Sequence, residues 1–286
     1  QHHHAHTVSC LADNMQGNKT VIGVSFDGTG YGSDGNIWGG EFLTADFRKF
    51  SRKAHFKYVP LPGSAQAVKE PWRMAAVYLY QAFGKDFTKL GIDFTARLDR
   101  AKWLTIRNML DKNINCALTS SAGRLFDAVS ALVGIRSSIN YEGQAAAELE
   151  MAVDSTVKDR YDFETADEKG MFIIDVMRVI IGIADDLNKR LPAGKISAKF
   201  HNTLAEIITK VCENIRRDEA LDEVCLSGGV FQNMYLLEKT YKRLTGAGFK
   251  VYVHSRVPAN DGGICLGQAV IANSGSPRFL ASETLR

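Results

Sequence analysis

The stretch VIGVSFDGTG (21–30) is a short apolar run, rich in β-branched residues, that ends in Asp27-Gly28. Such a run predicts a strand that passes directly into a turn. Two later stretches have the same design, CLSGGVFQN (225–233) and VPANDGG (257–263), and each is followed by a helical pattern. A single glycine turn is usually structural, but backbone amides at such turns can also approach a phosphate. Three in one chain favour a nucleotide-binding α/β fold with two lobes.

Most of the remaining sequence has helical spacing of its apolar residues. We predict helices over 7–16, 71–84, 86–95, 99–111, 119–135, 142–153, 170–190 and 197–218, with two more running to about 245 and 273. The glycine-rich segment 27–42 predicts a loop or tight hairpin, and FKVYVHS (249–255) predicts a strand. The polar segment 154–170 is expected to be a long exposed loop or a small β insertion.

Length, charge and composition argue against several classes of protein. A length of 286 residues supports one large domain or two lobes. A net charge of +3 is too small to indicate a nucleic-acid or membrane surface. The most apolar run, 171–187, is interrupted by Asp175 and Arg178 and is too short for a transmembrane helix. The five scattered cysteines, none in a CxxC pair, predict a reduced cytoplasmic protein.

The chain begins with QHHHAH (1–6), which is either part of a purification tag or part of a metal site. On a helix, His2 and His6 are four residues apart and face the same side. Asp27 and Asp261 each follow a predicted strand at a glycine turn, where a carboxylate can project freely. Such residues can bind a divalent metal together. Solvent-exposed histidines and turn-stabilising aspartates are the alternative interpretation.

Four further residues stand out, of which Asp127 has two interpretations. Asp127 lies in an apolar helix, so it is either on an exposed face or directed at a ligand hydroxyl. Glu148 lies in a helix whose solvated face accommodates it, and His254 follows a strand, where a backbone carbonyl is the ordinary partner. Cys225, between Val224 and Leu226, is expected in the core.

Seven motifs in order resemble the HypF family, the carbamoyltransferases that mature [NiFe] hydrogenases. They are QHHHAH, FDGTGYGSDGNIWGGEFL, PLPG with KEPWRMA, SSAGRLFDAVSALVGI, YEGQAAAELE, LSGGVFQN and VPANDGGICLGQA, and they span residues 1 to about 272. The resemblance implies an α/β fold of the actin/Hsp70/sugar-kinase-like ATPase type, two lobes of β-sheet flanked by helices, with the N-terminal part of the first lobe missing from this chain.

The resemblance also implies a division of the chain. Residues 1–60 would be the remainder of the first lobe with the metal-binding helix, and 61–222 a mainly helical region. Residues 223–272 would hold the C-terminal nucleotide-binding units, followed by a flexible tail over 273–286. One departure from the family pattern is Ser64-Ala65, where Gly-Asp is expected.

Site residues can be carried over by motif. The family's metal ligands correspond to His2, His6, Asp27 and Asp261, and the metal is expected to be Fe, Zn or Mn, with Mg²⁺ accompanying the nucleotide as a further option. Its nucleotide contacts correspond to Asp27, Gly28, Thr29, Gly30, Asp127, Glu148, Gly228, Gly229 and Asn233. His3 and His4 match this branch specifically and are expected to act catalytically at the carbamoyl group.

The function implied is carbamoyl transfer from carbamoyl adenylate to the C-terminal cysteine of HypE, the source of the hydrogenase cyanide ligands. Upstream domains of such proteins make the adenylate from carbamoyl phosphate and ATP. No nucleic-acid or membrane partner is expected.

Other functions of the same fold remain alternatives: a small-molecule O-carbamoyltransferase, an ATP-dependent phosphoryl transferase, or a non-enzymatic nucleotide-dependent interaction module. A phosphoryl transferase favours Mg²⁺ held by oxygens, so the two histidines argue against it. A metalloprotease is excluded because HExxH is lacking.

Overall fold

The computed structural model describes residues 1–275, which form two compact units. The first contains residues 1–55, 167–172 and 208 onwards, and the second contains 56–166 and 173–207. The helices are α1 His2–Asp13, α2 Ala65–Lys69, α3 Pro71–Phe83, α4 Asp93–Arg97, α5 Arg100–Asp111, α6 Ala122–Leu132, α7 Gln144–Met151, α8 Met177–Asn188, α9 Ala193–Glu219, α10 Met234–Gly246 and α11 Ile264–Ser274. The strands are β1 Val21–Tyr31, β2 Ile37–Ala45, β3 Phe50–Phe56, β4 Val59–Pro62, β5 Cys116–Thr119, β6 Glu164–Glu168, β7 Met171–Asp175, β8 Glu223–Ser227 and β9 Lys250–Tyr252.

In the first unit, β1 lies between an antiparallel and a parallel neighbour. It pairs antiparallel with β2 and parallel with β8, and β8 pairs parallel with β9. Ser25 on β1 is the register partner of Ser227 on β8. Because β1 and β8 run in the same direction, Asp27 and Gly228, which come just after this pair of serines, lie at the same edge of the sheet.

Helix α1 packs between this sheet and α11 at unusually short range. A Cβ on Gly23 would lie 2.2 Å from Thr7 Oγ1, and one on Gly267 would lie 1.9 Å from the Ala5 carbonyl oxygen. Ser9 Oγ also donates a hydrogen bond to the Gly263 carbonyl, at 2.7 Å. Glycine at positions 23 and 267 therefore lets α1 lie against both neighbours, which fixes the direction in which its side chains point.

The second unit is mainly helical, and α6 is its centre. Helix α6 contacts α3 and α7, and all of its residues are buried. Phe126 packs edge-on against Phe200 of α9 with ring centroids 4.9 Å apart. Strands β4 and β5 form an antiparallel pair in the same unit. A fully buried helix that carries a charged residue such as Asp127 must supply a partner for it.

The observed elements confirm several predictions and correct others. The mixed α/β class and the hairpin within 27–42 are confirmed, since β1 extends to Tyr31 and β2 begins at Ile37. The turn predicted at Asp27-Gly28 is wrong, because β1 continues through it with a register irregularity between Phe26 and Gly30. The predicted helix 170–190 is wrong at its start, because MFIID (171–175) forms β7 and the helix begins only at Met177. The reason is a hairpin turn: Gly170, at φ +84°, donates its amide to Asp167 and reverses the chain between β6 and β7.

The boundaries of other helices and strands also differ from the predicted ones. The predicted helix 86–95 is a 3₁₀ turn over Gly84–Lys89 followed by the short α4. The strand predicted over 249–255 is confined to Lys250–Tyr252. Ser64, one of the two departures from the family pattern, has φ +45°, a conformation that favours glycine. The tail predicted from 273 begins too early, because α11 extends to Ser274. The rest of the predicted tail, beyond 275, lies outside the described residues.

The cysteine and membrane predictions can be compared with the structure. All five cysteines are free thiols, and Cys225 is buried, as expected for a core residue. Among residues 1–275, no helix combines the length and apolar character needed to cross a membrane.

Candidate metal centre

The first turn of α1 brings two imidazoles to one face of the helix. Gln1 is the N-cap, and its side-chain oxygen accepts the His4 amide at 2.9 Å, so the helix begins at His2. With this start, His2 and His6 lie one turn apart, and their ring centroids are separated by 4.8 Å. The QHHHAH stretch is therefore an ordered part of the first unit, packed against β1.

Two carboxylates from distant parts of the chain meet these imidazoles. His2 Nε2 lies 3.0 Å from Asp27 Oδ2 and 3.3 Å from Asp261 Oδ1. His6 Nε2 lies 3.2 Å from each of the same two oxygens. All four atoms are within 4.8 Å of one another. The sequence pattern and the fold thus converge on one cluster, which we call the His-Asp cluster (His2, His6, Asp27 and Asp261).

The Asp27 carboxylate is held from behind by backbone amides. Its Oδ1 atom accepts the amides of Gly28, at 2.8 Å, and of Gly229, at 3.2 Å. Gly229 can reach this position because Gly228, at φ +100°, passes so close to β1 that a Cβ would lie 2.2 Å from the Phe26 carbonyl oxygen. With Oδ1 fixed in this way, Oδ2 is directed at the two imidazoles.

The His-Asp cluster is closed on one side and open on the other. The His6 side chain is 1% exposed and that of Asp27 is 11% exposed, whereas the Asp261 side chain is 67% exposed. Asp261 begins the short 3₁₀ turn that leads into α11. A solute can therefore approach the cluster from the side of Asp261.

The electrostatics of the cluster favour a cation. Burial is the largest influence on Asp27 and by itself opposes ionisation, but hydrogen bonds from His2 and His6 hold the pKa of Asp27 well below its usual value. Burial likewise disfavours a charged His6, yet the hydrogen bonds and charges of Asp261 and Asp27 outweigh it and raise the pKa of His6 to about 9. Two converging carboxylates thus require positive charge between them, supplied by protons or by a metal ion.

The donor set fits a divalent transition metal. Ligands at about 2.0–2.2 Å around a tetrahedral ion are roughly 3.3–3.6 Å apart, close to the nitrogen–oxygen separations of 3.0–3.3 Å seen here. Two imidazole nitrogens with two carboxylate oxygens suit Zn, Fe or Mn. Four protein ligands complete a tetrahedron, so a substrate oxygen would add a fifth ligand from the open side beside Asp261.

His3 and His4 occupy different places from His2 and His6. His4 Nε2 donates to the Asp46 carbonyl oxygen at 2.6 Å, and its ring lies 5.1 Å from that of Phe50. His3 is fully buried, with Nε2 lacking a hydrogen-bond partner among the described residues, and burial lowers its pKa well below the usual value. A catalytic contact of either ring with a carbamoyl group stays a prediction; the polar edge of His4 is directed at backbone.

The glycine turns predicted to bind nucleotide have structural partners in the first unit. A Cβ on Gly30 would lie 2.3 Å from His3 Cε1 and 2.7 Å from His2 Cδ2, so this glycine makes room for the histidine rings. Thr29 beside it is exposed. Asn233 caps α10 by accepting the Leu236 amide at 2.8 Å. Their contacts with a nucleotide stay a prediction.

Asp127 and Glu148 lie in the second unit, and each has an internal partner. Asp127 is 1% exposed, and its Oδ2 lies 2.7 Å from Arg124 Nε. Burial raises the pKa of Asp127 despite that guanidinium. Asp127 is therefore not on an exposed face. Glu148 accepts two hydrogen bonds from Arg136, at 2.8 and 2.6 Å. A role at a ribose stays a prediction for both.

Three polar residues, Ser227, His254 and Asp13, lie behind His6. Ser227 and Asp13 have no distinctive sequence pattern, and His254 was expected to have a different partner. Ser227 Oγ lies 3.3 Å from His6 Nδ1 and 2.8 Å from His254 Nε2. The partner expected for His254 was a backbone carbonyl; its closest polar contacts are instead this hydroxyl and, at 3.6 Å, Asp13 Oδ2. Only the fold brings α1, the end of β8 and the segment after β9 together.

Comparisons with known proteins identify the family to which this fold belongs. Residues 23–268 match the family model described as "Carbamoyltransferase, Kae1-like Domain, second subdomain". Carbamoyltransferase HypF of Synechocystis sp. is 35% identical over 280 residues, covering 94% of this chain and 36% of that protein. A carbamoyltransferase HypF homolog of Cupriavidus necator is 32% identical, covering 99% of this chain and 73% of that protein.

A solved structure of a relative has the same fold. The crystal structure of full-length HypF in its phosphate- and nucleotide-bound form superposes with a TM-score of 0.90 at 44% identity, covering 96% of this chain and 35% of that one. The chain thus has the Kae1-like carbamoyltransferase fold. It belongs to the HypF carbamoyltransferase family, and it spans about a third of the length of several of these relatives.

Proposed function

We propose that this chain is the part of a HypF-type carbamoyltransferase that transfers the carbamoyl group from carbamoyl adenylate to the C-terminal cysteine of HypE. The observation that carries the proposal is the His-Asp cluster, in which four potential ligands converge within 4.8 Å. Family membership over residues 23–268 supplies the reaction class. Other segments of such a protein would make the adenylate from carbamoyl phosphate and ATP.

His2, His6, Asp27 and Asp261 would hold a divalent metal ion. When bound, this ion would supply a Lewis acid that stabilises negative charge on the phosphate of the AMP leaving group. The exposure of Asp261 gives the phosphate a way in. The amides of Gly28 and Gly229 hold Asp27 in place, so the carboxylate needs no rearrangement when a substrate arrives.

The chemical step is a substitution at the carbamoyl carbon. The cysteine thiol of HypE loses its proton to solvent, and the thiolate sulfur attacks that carbon. A carbon–sulfur bond forms, the bond between the carbonyl carbon and the phosphate oxygen breaks, and its electron pair leaves on AMP. A thiolate attacking an activated acyl group needs no side-chain base, so the chief task of the protein is to position the two reactants.

The proposal also covers the remaining nucleotide contacts. The Gly28–Gly30 segment would lie beside the phosphate, and Gly228, Gly229 and Asn233 would lie beside the adenosine. The proposal is supported by a HypF relative of 44% identity whose crystal structure is in a phosphate- and nucleotide-bound form.

The experiment that tests the function is a transfer assay with the protein that carries this chain, carbamoyl phosphate, ATP and HypE. Intact-mass spectrometry of HypE measures carbamoylation, and pyrophosphate release without HypE measures adenylate formation. We expect Asp261→Ala to abolish carbamoylation while adenylate formation continues. Asp159→Ala, in the second unit and outside the cluster, is the control and should transfer normally. Full carbamoylation by Asp261→Ala would overturn the proposed role of the cluster.

A further inference from the structure

A line of buried polar side chains extends from the back of the His-Asp cluster into the first unit. It starts at His6, whose Nε2 faces the two carboxylates and whose Nδ1 lies 3.3 Å from Ser227 Oγ. Ser227 Oγ lies 2.8 Å from His254 Nε2, and His254 Nδ1 lies 3.6 Å from Asp13 Oδ2. These three residues, Ser227, His254 and Asp13, make up what we call the supporting chain.

All members of the supporting chain are shielded from solvent. Ser227 is completely buried, and the side chains of His254 and Asp13 are 4% and 0% exposed. Buried polar groups are costly unless their partners are in place, so such a chain has one favoured arrangement rather than several. It therefore suits the task of holding a ligand still.

One arrangement of protons fits the two hydrogen bonds of Ser227, at 3.3 and 2.8 Å. Among the described residues His254 Nδ1 has no hydrogen-bond partner, and the Asp13 carboxylate lies 3.6 Å from it. If His6 Nε2 is a metal ligand, its Nδ1 carries the hydrogen and donates to Ser227 Oγ. The Ser227 hydroxyl then donates to His254 Nε2. Burial, the largest influence, lowers the pKa of His254 to about 4, so this ring is neutral and its single hydrogen lies on Nδ1, facing Asp13. Every hydrogen then points away from the cluster.

Asp13 closes the chain by fixing the segment that carries His254. Its carboxylate accepts the Ser255 amide at 2.6 Å and the Arg256 amide at 3.1 Å. Asp13 is the last residue of α1, and His6 lies earlier on the same helix. Both ends of the chain are thus attached to α1, and a shift of His254 relative to that helix would break contacts at both.

We propose that Ser227, His254 and Asp13 are positioning residues that hold His6 in the tautomer and orientation required for metal binding. Histidine ligands characteristically donate their second ring nitrogen to an acceptor, and loss of that acceptor costs about 10- to 100-fold in metal affinity. The inference rests on the metal site included in the proposed function. It assigns a positioning role to Ser227, His254 and Asp13, which would contact neither the ion nor the substrate.

The test compares two variants of equal shape at position 227. Ser227→Thr keeps the hydroxyl, whereas Ser227→Val replaces it with a methyl group. We expect Ser227→Val to bind Zn²⁺ about 10- to 100-fold more weakly than Ser227→Thr, measured by competition with a chromophoric chelator in the protein that carries this chain. Melting temperatures of the metal-free variants show how far each substitution disturbs the fold itself.

Ser25 provides a matched control on the neighbouring strand. It is the register partner of Ser227 and is equally buried, but its hydroxyl donates to the His3 carbonyl at 3.2 Å. Ser25→Thr and Ser25→Val should bind Zn²⁺ with equal affinity. If Ser227→Val does not fold, His254→Phe, which keeps a ring but removes both nitrogens, takes its place, with an expected loss of about tenfold.

The outcomes separate this inference from the metal site on which it rests. Equal Zn²⁺ affinity for Ser227→Val and Ser227→Thr, with wild-type protein binding one ion that His6→Gln fails to bind, would overturn the supporting chain alone. Wild-type protein that binds no stoichiometric Zn²⁺ would overturn both the chain and the metal site. A difference confined to the position 227 pair supports the proposal.

Discussion

His6 in the first unit and His201 in the second are buried to the same degree but have opposite electrostatics. They are 1% and 0% exposed. His201 Nδ1 donates to the Ser197 carbonyl oxygen at 2.8 Å, and its ring packs against Phe126, 5.3 Å away. Burial lowers the pKa of His201 to about 4, whereas the carboxylates beside His6 raise its pKa to about 9 in spite of burial.

The difference shows that burial does not indicate the role of a histidine. Desolvation disfavours the charged ring at both positions. What differs is the surroundings of the second nitrogen: His6 Nε2 faces two carboxylate oxygens, and His201 lies in an aromatic region of the helical core. We therefore assign His6 to a cation site and His201 to packing.

The largest expected effect is the loss of metal binding in His6→Gln. Structural zinc sites contribute about 10–16 kcal/mol from four ligands, so one ligand accounts for roughly 2.5–4 kcal/mol, or about 60- to 700-fold in affinity. We expect a loss of this size in Zn²⁺ affinity, measured by chelator competition. The matched variant His201→Gln should remain within about threefold of wild type, because its ring contacts neither the cluster nor its carboxylates.

Equal losses for His6→Gln and His201→Gln would contradict this assignment, because they would indicate general destabilisation. Circular dichroism of both metal-free variants distinguishes the two situations. An intact fold with lost Zn²⁺ binding is expected only for His6→Gln.

The composition of the His-Asp cluster could be predicted in part from the sequence, because the positions of its residues depend partly on local geometry. The spacing of His2 and His6 places both rings on one helix face whatever surrounds the helix, and Asp27 and Asp261 belong to recognisable glycine turns. Local geometry made these four residues candidates, and the resemblance to the HypF family implied that they are ligands. The structure brings them together. The metal itself remains a proposal.

The residues behind the cluster, the different positions of His3 and His4, and the start of α8 depend on tertiary packing that no local sequence pattern encodes. Nothing in CLSGGV indicates that Ser227 would lie under His6, since that contact depends on how α1 crosses β1 and β8. His3 and His4 were treated alike because both match the HypF motif, yet consecutive residues on a helix point about 100° apart and meet different neighbours. The start of α8 was mispredicted for a similar reason, since MFIID suits a helix or a strand equally until its hairpin partner is known.

The second prediction concerns pH in the metal-free protein. The pKa of His6 is raised above its unfolded value, so its contribution to stability is present below about pH 6.5 and is lost as the pH rises through about 9. The pKa of His201 is lowered, so its contribution is present above about pH 6.5 and is lost as the pH falls through about 4. Each shift corresponds to roughly 3 kcal/mol.

Nitrogen-15 NMR of the imidazoles, recorded with chelator present, measures both titrations directly. His6 should remain protonated at pH 8, and His201 should remain neutral at pH 5. Urea unfolding of the two glutamine variants should remove the corresponding slope from the stability profile. Titration of both rings near pH 6.5 would show that the two environments do not differ as described.

A smaller effect on Zn²⁺ affinity is expected from Gly30→Ala, which substitutes none of the four ligand residues. Its Cβ would lie 2.7 Å from His2 Cδ2 and 2.3 Å from His3 Cε1, so the rings must shift. We expect Zn²⁺ affinity to fall about tenfold, consistent with an overpacking cost of 1–3 kcal/mol. Gly17→Ala is the control, because nothing lies within 4 Å of its Cβ. An unchanged affinity in Gly30→Ala would mean that His2 can bind the ion from a displaced position.

The smallest effect is expected at His4, which resembles His201 although it lies two residues from His6. Its Nε2 donates to the Asp46 carbonyl oxygen, and burial lowers its pKa. His4→Gln can retain a donor to that carbonyl, so we expect Zn²⁺ affinity within about threefold of wild type. Measured beside His6→Gln, this variant tests whether the direction of the ring, rather than membership of the histidine run, decides metal binding. A loss comparable to that of His6→Gln would mean that the whole run acts as one unit, because His4 itself has no ligand atom in the cluster.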